Sequence, residues 1–191
     1  MDDATRDGTN EPKPAPAPSG LHQISMSFSP EEDRVLLRIS TTDHNECRLW
    51  LTRRFVRILW KALLQVLTAQ PDVVRPDLEP KVKDAIIAMQ HHDIVQASDF
   101  SKKYDVKKEN KPVSEKPTLV IGGACYASKD STTRIKFQTA DGKEVNVKLN
   151  AELVHALCHL LVATTVKAEW NLDLTIGGAN VFVPEKPTHL H

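Results

Sequence analysis

Residues Arg34 to Leu67, RVLLRISTTDHNECRLWLTRRFVRILWKALLQVL, decide the fold, because the chain repeats their pattern further on. Moved forward by 98 residues, this stretch aligns without a gap on residues 132–165, TTRIKFQTADGKEVNVKLNAELVHALCHLLVATT. Both stretches contain an alternating strand, an Asp-containing turn, a second alternating strand, a capping residue and an apolar helix. Identities at this offset include Thr41/Thr139, Asp43/Asp141, Glu46/Glu144, Leu51/Leu149, Val56/Val154, Leu59/Leu157 and Leu63/Leu161. A repeat of this kind predicts two copies of one supersecondary unit.

Each copy is predicted to be a βββα unit. The alternating segments LHQISMSFS and TLVIGGACYAS supply the first strand of each copy, and Gly122 and Gly123 in the second predict a bulge or a break. Thr52 and Asn150 are placed to cap the two helices. We therefore expect an α+β fold in which antiparallel sheet packs on helices. A pseudo-two-fold axis should relate the copies, because each alone is too small for a stable core.

The other segments divide the chain around these copies. We expect a disordered leader at 1–20, the first copy at 21–70 and an inserted helical segment at 71–106. A charged linker at 107–117, the second copy at 118–177 and a tail at 178–191 follow. The inserted helix, over 82–97, has apolar residues at the spacing of one helix face, namely Val82, Ala85, Ile86 and Met89. After Trp170, the segment LDLTIGG predicts a final strand.

Composition restricts the classes of function. The 191 residues contain 25 Lys and Arg against 25 Asp and Glu, so the formal net charge of +0 excludes a uniformly basic nucleic-acid or membrane binder. Three cysteines without a CxxC pair indicate reduced thiols in a cytosol. The N-terminal residues lack an apolar signal region, and no apolar segment has the length of a membrane span. These features predict a soluble cytoplasmic protein without a membrane partner.

Five segments carry a resemblance to a known family. DRVLLRIST, RLWLTRRFV, QASDFS, HALCHLL and AEWNLDL together resemble a widespread family of small uncharacterised proteobacterial proteins. The resemblance implies a bacterial cytoplasmic setting and carries over no activity and no site residue. In architecture, the two sheet-then-helix copies are also similar to the PUR and Whirly nucleic-acid-binding folds. That likeness is one of fold, which is a weak warrant for function.

Alternation along the strands predicts a basic outer sheet face. Where Val35, Leu37 and their counterparts point inward, their neighbours must point outward. The outward set includes Arg38, Arg48, Trp50, Arg134, Lys136 and Lys148. Trp50 stands where the second copy has Lys148, so a large aromatic side chain replaces a solvated one. Such a face suits a protein contact sealed by Trp50, the phosphates of a single-stranded nucleic acid, or solvent alone.

The first predicted helix offers a second basic surface. On a helical wheel one arc gathers Arg53, Arg54, Arg57 and Lys61, with no acidic residue four positions further on. This arc could meet an anionic partner, although the solvated side of a helix has the same composition. The apolar arc of this helix exceeds half the circumference. That width predicts contacts with two layers, its own sheet and another helix or subunit.

Few residues suggest chemistry. His155 and His159 share one helix face at the spacing that lets two imidazoles reach one metal, but histidines packed against a neighbour show the same spacing. A nucleophilic site would need Cys125 or Cys158 beside a positioned base. The Ile-Gly-Gly runs at 121–123 and 176–178 lack the length and the Lys of a phosphate-binding loop. We therefore predict no catalytic residue, no metal site and no cofactor.

Together these features predict a non-enzymatic binding or assembly module that acts through a partner protein or through self-association. The alternative is single-stranded nucleic-acid binding by the basic outer sheet face. Dependence on salt separates the two, since phosphate contacts weaken steeply as salt rises.

Overall fold

The computed structural model describes residues 20–98, 100, 111–128 and 131–177, and the predicted leader (apart from Gly20) and tail lie outside them. The described chain has an α+β fold, which confirms the predicted class. Its elements are β1 (Leu21–Ser29), β2 (Arg34–Thr41), β3 (Asn45–Leu51), α1 (Arg53–Thr68), α2 (Pro80–Ala97), β4 (Lys111–Pro112), β5 (Thr118–Ala127), β6 (Thr133–Thr139), β7 (Glu144–Leu149) and α3 (Ala151–Lys167).

Within the described residues, seven strands form one mostly antiparallel sheet in the order β1-β2-β3-β5-β6-β7, with β4 paired to β3. Strands β1 to β3 and strands β5 to β7 each form an antiparallel meander. The meanders join where β3 and β5 run parallel, through the pairs Leu49↔Thr118 and Trp50↔Leu119. The two-residue strand β4 lies parallel to β3 at the start of this seam.

The second hairpin of each meander has the same ladder register, whereas the first hairpins differ by one residue, since Ile24 pairs with Ile39 but Gly123 pairs with Phe137. β2 pairs with β3 starting from Val35↔Leu51, and β6 pairs with β7 starting from Thr133↔Leu149, which is the same pairing advanced by 98 residues. Each first hairpin also has a register shift, between Leu21 and Gln23 in β1 and between Val120 and Gly122 in β5. The predicted bulge beside Gly122 is therefore confirmed.

Turn geometry also corresponds between the halves. Asp33 and Ser131, which lie 98 residues apart, both have positive φ, at 46° and 57°. His44 and Gly142 stand at the same offset, with φ of 60° and 80°. Residues other than glycine rarely adopt this conformation, so its recurrence at two equivalent turns is specific.

Both predicted helix caps are confirmed. The Thr52 side chain accepts a hydrogen bond from the Phe55 N–H at 3.2 Å, at the start of α1. The Asn150 side chain accepts one from the Leu153 N–H at 2.9 Å, at the start of α3. Each cap satisfies a backbone donor that a helix leaves unpaired, and so fixes where the helix begins.

Each main helix crosses to the other half of the sheet. α1 packs on β5, α3 packs on β1, and the two helices contact each other. α2 lies against α3 and, less extensively, against α1, so the sheet, the α1–α3 pair and α2 form three layers. These contacts confirm that α1 touches two layers. Side chains from both halves fill the core, including Leu37, Leu49, Leu51, Leu63, Ile135, Phe137, Leu149 and Leu161.

α2 buries a different face from the one its spacing suggests. Ile87 and His91 are buried, whereas Val82 and Met89 are exposed, Met89 to 61%. Apolar residues surround most of this helix, so spacing alone does not select one side. The face that meets α3 was therefore decided by the neighbour and not by the local sequence.

The predicted strand over LDLTIGG is wrong. Residues 171–177 are irregular apart from an isolated bridge at Ile176. The segment is nevertheless anchored, because the buried Trp170 donates from its indole Nε1 to Asp33 Oδ1 at 2.9 Å and meets Phe28 edge-on. Gly177 lies so close to the Asp84 carbonyl on α2 that a side chain would not fit. These contacts, rather than a ladder, hold the segment.

Candidate functional surfaces

The predicted binding residues lie on two separate surfaces. The helices pack on the inner sheet face, so the exposed arc of α1 faces away from the outer sheet face. The outer face carries Arg38, Arg48, Trp50, Arg134, Lys136 and Lys148, and the α1 arc carries Arg53, Arg54, Arg57 and Lys61. One ligand would therefore meet one set or the other.

Arg48 has a role within the chain. Its guanidinium donates to the backbone carbonyls of Ser114 and Glu115, at 2.8 Å and 2.7 Å. These carbonyls belong to the stretch that links β4 to β5 beside β3. Arg48 therefore ties this crossing to the sheet. This role could not be predicted from sequence patterns, because the acceptors are backbone groups in a distant, charged segment.

The outer face of the second half carries a row of exposed polar side chains. Tyr126 lies opposite Arg134 between β5 and β6, and Arg134 lies opposite Lys148 between β6 and β7. All three side chains are exposed. The pair of Arg134 and Lys148 places two like charges directly opposite each other, an arrangement that is unfavourable in a strand pair. Lys136 differs, because Glu144 at 2.6 Å hydrogen-bonds to it and raises its pKa.

In the first half the equivalent row begins with the exposed Ser27 on β1, opposite Leu36, and is apolar from Leu36 onwards. Leu36 lies opposite Trp50 between β2 and β3, and Trp50 lies opposite Leu119 across the seam. Leu36 is only 8% exposed, Trp50 and Leu119 are half-buried, and Ile121 in the neighbouring bulge is 65% exposed. We call these four residues the Trp50 row. Its apolar surface lies on the side of the sheet opposite the helices.

The α1 arc concentrates uncompensated positive charge. Arg53, Arg54, Arg57 and Lys61 are exposed, and within the described residues none of them takes part in an ion pair or a side-chain hydrogen bond. Arg53 and Arg54 lie in the first turn of α1, beside the positive end of the helix dipole. That turn contains no acidic residue to offset their charge. Ile58 lies at the edge of this arc and is 53% exposed.

Three histidines meet between α2 and α3. The His91 ring centroid lies 5.5 Å from that of His155 and 6.4 Å from that of His159. His91 and His155 are buried, and the Nδ1 atom of each has no hydrogen-bond partner among the described residues. Burial lowers the pKa of both to about 4, and for His91 the other histidines add to the effect. The cluster is therefore a packed contact between neutral rings.

The described residues offer little for metal or thiol chemistry. Within the described ranges, no three His, Cys, Asp or Glu side chains are placed where they could share a metal ion, so the His155 and His159 pair has no third ligand there. All three cysteines are free, and burial raises the pKa of Cys125 to about 11 and that of Cys158 further. Both thiols are protonated at neutral pH and are poor nucleophiles.

An open depression of about 420 Å³ lies at the C-terminal end of α3. It is lined by Thr165, Val166, Glu169, Asn171 and Leu172. The Thr165 hydroxyl is engaged, because it donates to the Leu161 carbonyl at 2.9 Å. This lining contains neither a cation nor a base beside a nucleophile, and none of the predicted binding residues reaches it.

Comparison with known proteins yields no match among family models, curated proteins or solved structures. The resemblance to the proteobacterial family and the likeness to the PUR and Whirly folds remain predictions from the sequence. None of the helices in the described part of the chain combines the length and the apolar character needed to cross a bilayer.

Proposed function

We propose that the chain is an internal duplication of a βββα unit, with α2 inserted between the copies, and that it acts as a non-enzymatic binding module for a protein partner. The duplication is supported by the equal ladder registers of β2–β3 and β6–β7, the corresponding bulges, the equivalent caps and the recurring positive-φ turns. The registers and the turns are features of the backbone, so they support the duplication independently of the residue identities.

The Trp50 row is the observation that carries the binding function. A sheet face that meets only water usually has polar side chains along its strands, as in the Arg134 and Lys148 row of the second copy. The first copy instead places Leu36, Trp50 and Leu119 side by side, with Ile121 exposed at the end. Leu36 is buried within this row, so its exposed apolar surface comes from Ile121 and the half-buried Trp50 and Leu119. Exposed apolar surface typically marks a protein contact, and tryptophan is enriched among residues that dominate binding energy.

Substitution of Trp50 tests this function. Because Trp50 is only half-buried, we expect Trp50→Ala to lower the free energy of unfolding by less than about 1 kcal/mol, against roughly 3–5 kcal/mol for a core aromatic. The same variant should lose its partner in a pull-down with the purified chain as bait. Lys148→Ala, at the equivalent position of the second copy, is the matched control and should keep the partner. A sharp loss of thermal stability in Trp50→Ala would instead assign Trp50 to the core.

Single-stranded nucleic-acid binding is the second candidate, and the row of Tyr126, Arg134 and Lys148 favours it. An exposed aromatic ring beside two cations can stack on a base and contact its phosphate. Pull-downs at low and high salt, with and without nuclease, separate the two candidates. Nucleic acid that is recovered only at low salt, and lost in Arg134→Gln/Lys148→Gln, would replace the protein partner as the function.

A further inference from the structure

α1 and α3 occupy equivalent places in the two copies, but α2 packs mainly on α3 and much less on α1. At the 98-residue offset, Arg57 corresponds to His155 and Lys61 corresponds to His159. His155 is buried and His159 half-buried, because His91 of α2 packs on both rings and Phe100, beyond the end of α2, packs on His159 at 4.4 Å between ring centroids. Arg57 and Lys61 are exposed. The face of α1 that matches the α2-binding face of α3 is thus open in the described chain.

The chemistry of the open face differs from that of the covered one. Around Arg57 and Lys61 the α1 face also contains Arg54 and Gln65, and its cations have no acidic partner among the described residues. Ile58, 53% exposed, lies at the edge of this basic face, beside a cleft that it lines together with Gly123, Cys125 and Phe137 of the sheet. A basic face bordered by an exposed apolar residue is well matched to an acidic surface that carries an apolar side chain.

We propose that the α1 face formed by Arg54, Arg57, Ile58, Lys61 and Gln65 binds an acidic amphipathic helix of a partner protein, in the place that α2 takes on α3. The inference rests on the proposed duplication and binding function, and it names a partner class for a surface separate from the Trp50 row. A glutamate at the place of His91 would lie between Arg57 and Lys61, and an aliphatic side chain would cover Ile58.

The helix of a second copy does not fit this description. α2 carries Lys81 and Lys83 and presents histidines rather than carboxylates to its neighbour, so its charge does not complement the α1 arc. A nucleic acid would satisfy the cations but would leave Ile58 uncovered. Charge and apolar contact together therefore favour an acidic helix, as in other helix-in-groove complexes.

The test uses a defined probe on the full-length chain. The probe is a labelled peptide with the α2 sequence PKVKDAIIAMQHHDIVQA in which Lys81, Lys83, His91 and His92 are each replaced by Glu, and the matched control peptide keeps the native sequence. We expect the acidic peptide to bind in a fluorescence-anisotropy titration and the native peptide to bind at least roughly tenfold more weakly. Equal binding of the two peptides would overturn the inference.

Variants of the chain locate the site. Arg57→Glu/Lys61→Glu should weaken the acidic peptide by roughly tenfold or more, and Ile58→Ser by several-fold. Arg134→Glu/Lys148→Glu reverses two cations on the outer sheet face and should leave affinity unchanged. If charge reversal on α1 impairs folding, Arg57→Gln/Lys61→Gln gives the same comparison. An affinity for the acidic peptide that is the same in the α1 variants and the native chain would refute the inference. Displacement of the peptide from this face by an oligothymidine would also refute it.

Two further comparisons separate the alternatives. If Arg57→Glu/Lys61→Glu alters the amide signals of residues 1–19 or 178–191 in the chain without peptide, a segment of the chain itself occupies the face and the inference fails. Trp50→Ala should leave peptide affinity unchanged. If the native chain does not bind the acidic peptide but its association with a partner depends on Trp50, this inference alone is refuted. If the chain binds the peptide but Trp50→Ala does not affect association, only the proposed role of the Trp50 row is refuted.

Discussion

The imidazoles of His91 and His155 lie against each other inside the protein, each with an Nδ1 that has no hydrogen-bond partner among the described residues. Burial is the main cause that lowers both pKa values, and the groups that act further on His91 are His155, His159 and His92. No carboxylate contributes to either shift. A proton on this cluster would therefore enter an environment with no compensating negative charge.

We expect acid to destabilise the protein through these two histidines. Their pKa is about 4 in the folded chain and 6.5 in the unfolded one, so the unfolded chain binds protons first as the pH falls. The contribution is fully present above pH 6.5, is lost as the pH falls towards about 4 and is constant below that. Each histidine should lower the free energy of unfolding by about 1.4 kcal/mol per pH unit in this window. Urea denaturation across the window measures the slope.

The slope needs a comparison, because other groups also titrate. His91→Phe keeps a flat ring at the helix contact and removes the titrating nitrogens, so its slope should be shallower than that of the native chain. His92→Gln changes an exposed histidine on the same helix, the weakest of the groups that act on His91, so it should change the slope much less than His91→Phe does. Equal slopes for the native chain and His91→Phe would rule out the cluster as the source.

Only part of this cluster could be predicted from the sequence. The spacing of His155 and His159 places them on one helix face, and packing against a neighbour was one of the two interpretations that it allowed. The neighbour, His91, lies on a separate helix, and no local pattern links the two. The role of Arg48 was equally hidden from local sequence patterns. Its acceptors are backbone carbonyls, which every residue has, so no residue type marks them.

Two adjacent glycines in β5 give a prediction for a single element. At Gly123 a Cβ would lie 2.5 Å from the Lys136 carbonyl oxygen and close to the Phe55 ring, so Gly123→Ala must push β5 away from β6 or from α1. At Gly122 the nearest atom, at 2.9 Å, is the mobile end of the Gln138 side chain. We expect Gly123→Ala to cost roughly 1–3 kcal/mol and Gly122→Ala much less, as measured by thermal unfolding. Equal costs would contradict the close approach at Gly123.

Elements whose boundaries depend on local chemistry were predictable. Alternation marks β6 and β7 and, apart from the apolar Leu36 and Trp50 on the outer face, β2 and β3, while Thr52 and Asn150 mark the helix starts. The inward face of α2 and the irregular segment after Trp170 could not be predicted, and the physical reason is the same for both. Apolar residues indicate burial, but which neighbour buries them depends on tertiary contacts such as those of Trp170 and Gly177.

The exchange of helices between the halves leads to a prediction for the whole molecule. β1 is covered by α3 and β5 by α1, so neither half covers its own first strand. We expect residues 1–106 and residues 107–191 to be largely unfolded when made separately, because each lacks the helix that completes its core. Mixing the two fragments should restore helical circular dichroism and one cooperative transition. A cooperative transition in either fragment alone would contradict the shared core.

The order of strands across the seam could not be predicted. The repeat indicates two similar units, but it does not say which strand of one unit meets which strand of the other. That choice depends on the parallel pairing of β3 with β5 over two residue pairs, and on the tie between Arg48 and the crossing segment. Both lie in or beside a charged stretch whose composition indicates only a linker.

The same exchange of helices governs how the protein is completed on the ribosome. The helix that covers β1 ends at Lys167, so the first strand leaves the exit tunnel long before its cover exists. At typical translation rates, roughly 5–20 s pass between synthesis of the end of α1 and the end of α3. During that interval the inner face of β1 has no helix to cover it, so we expect the incomplete chain to be prone to aggregation until α3 is made.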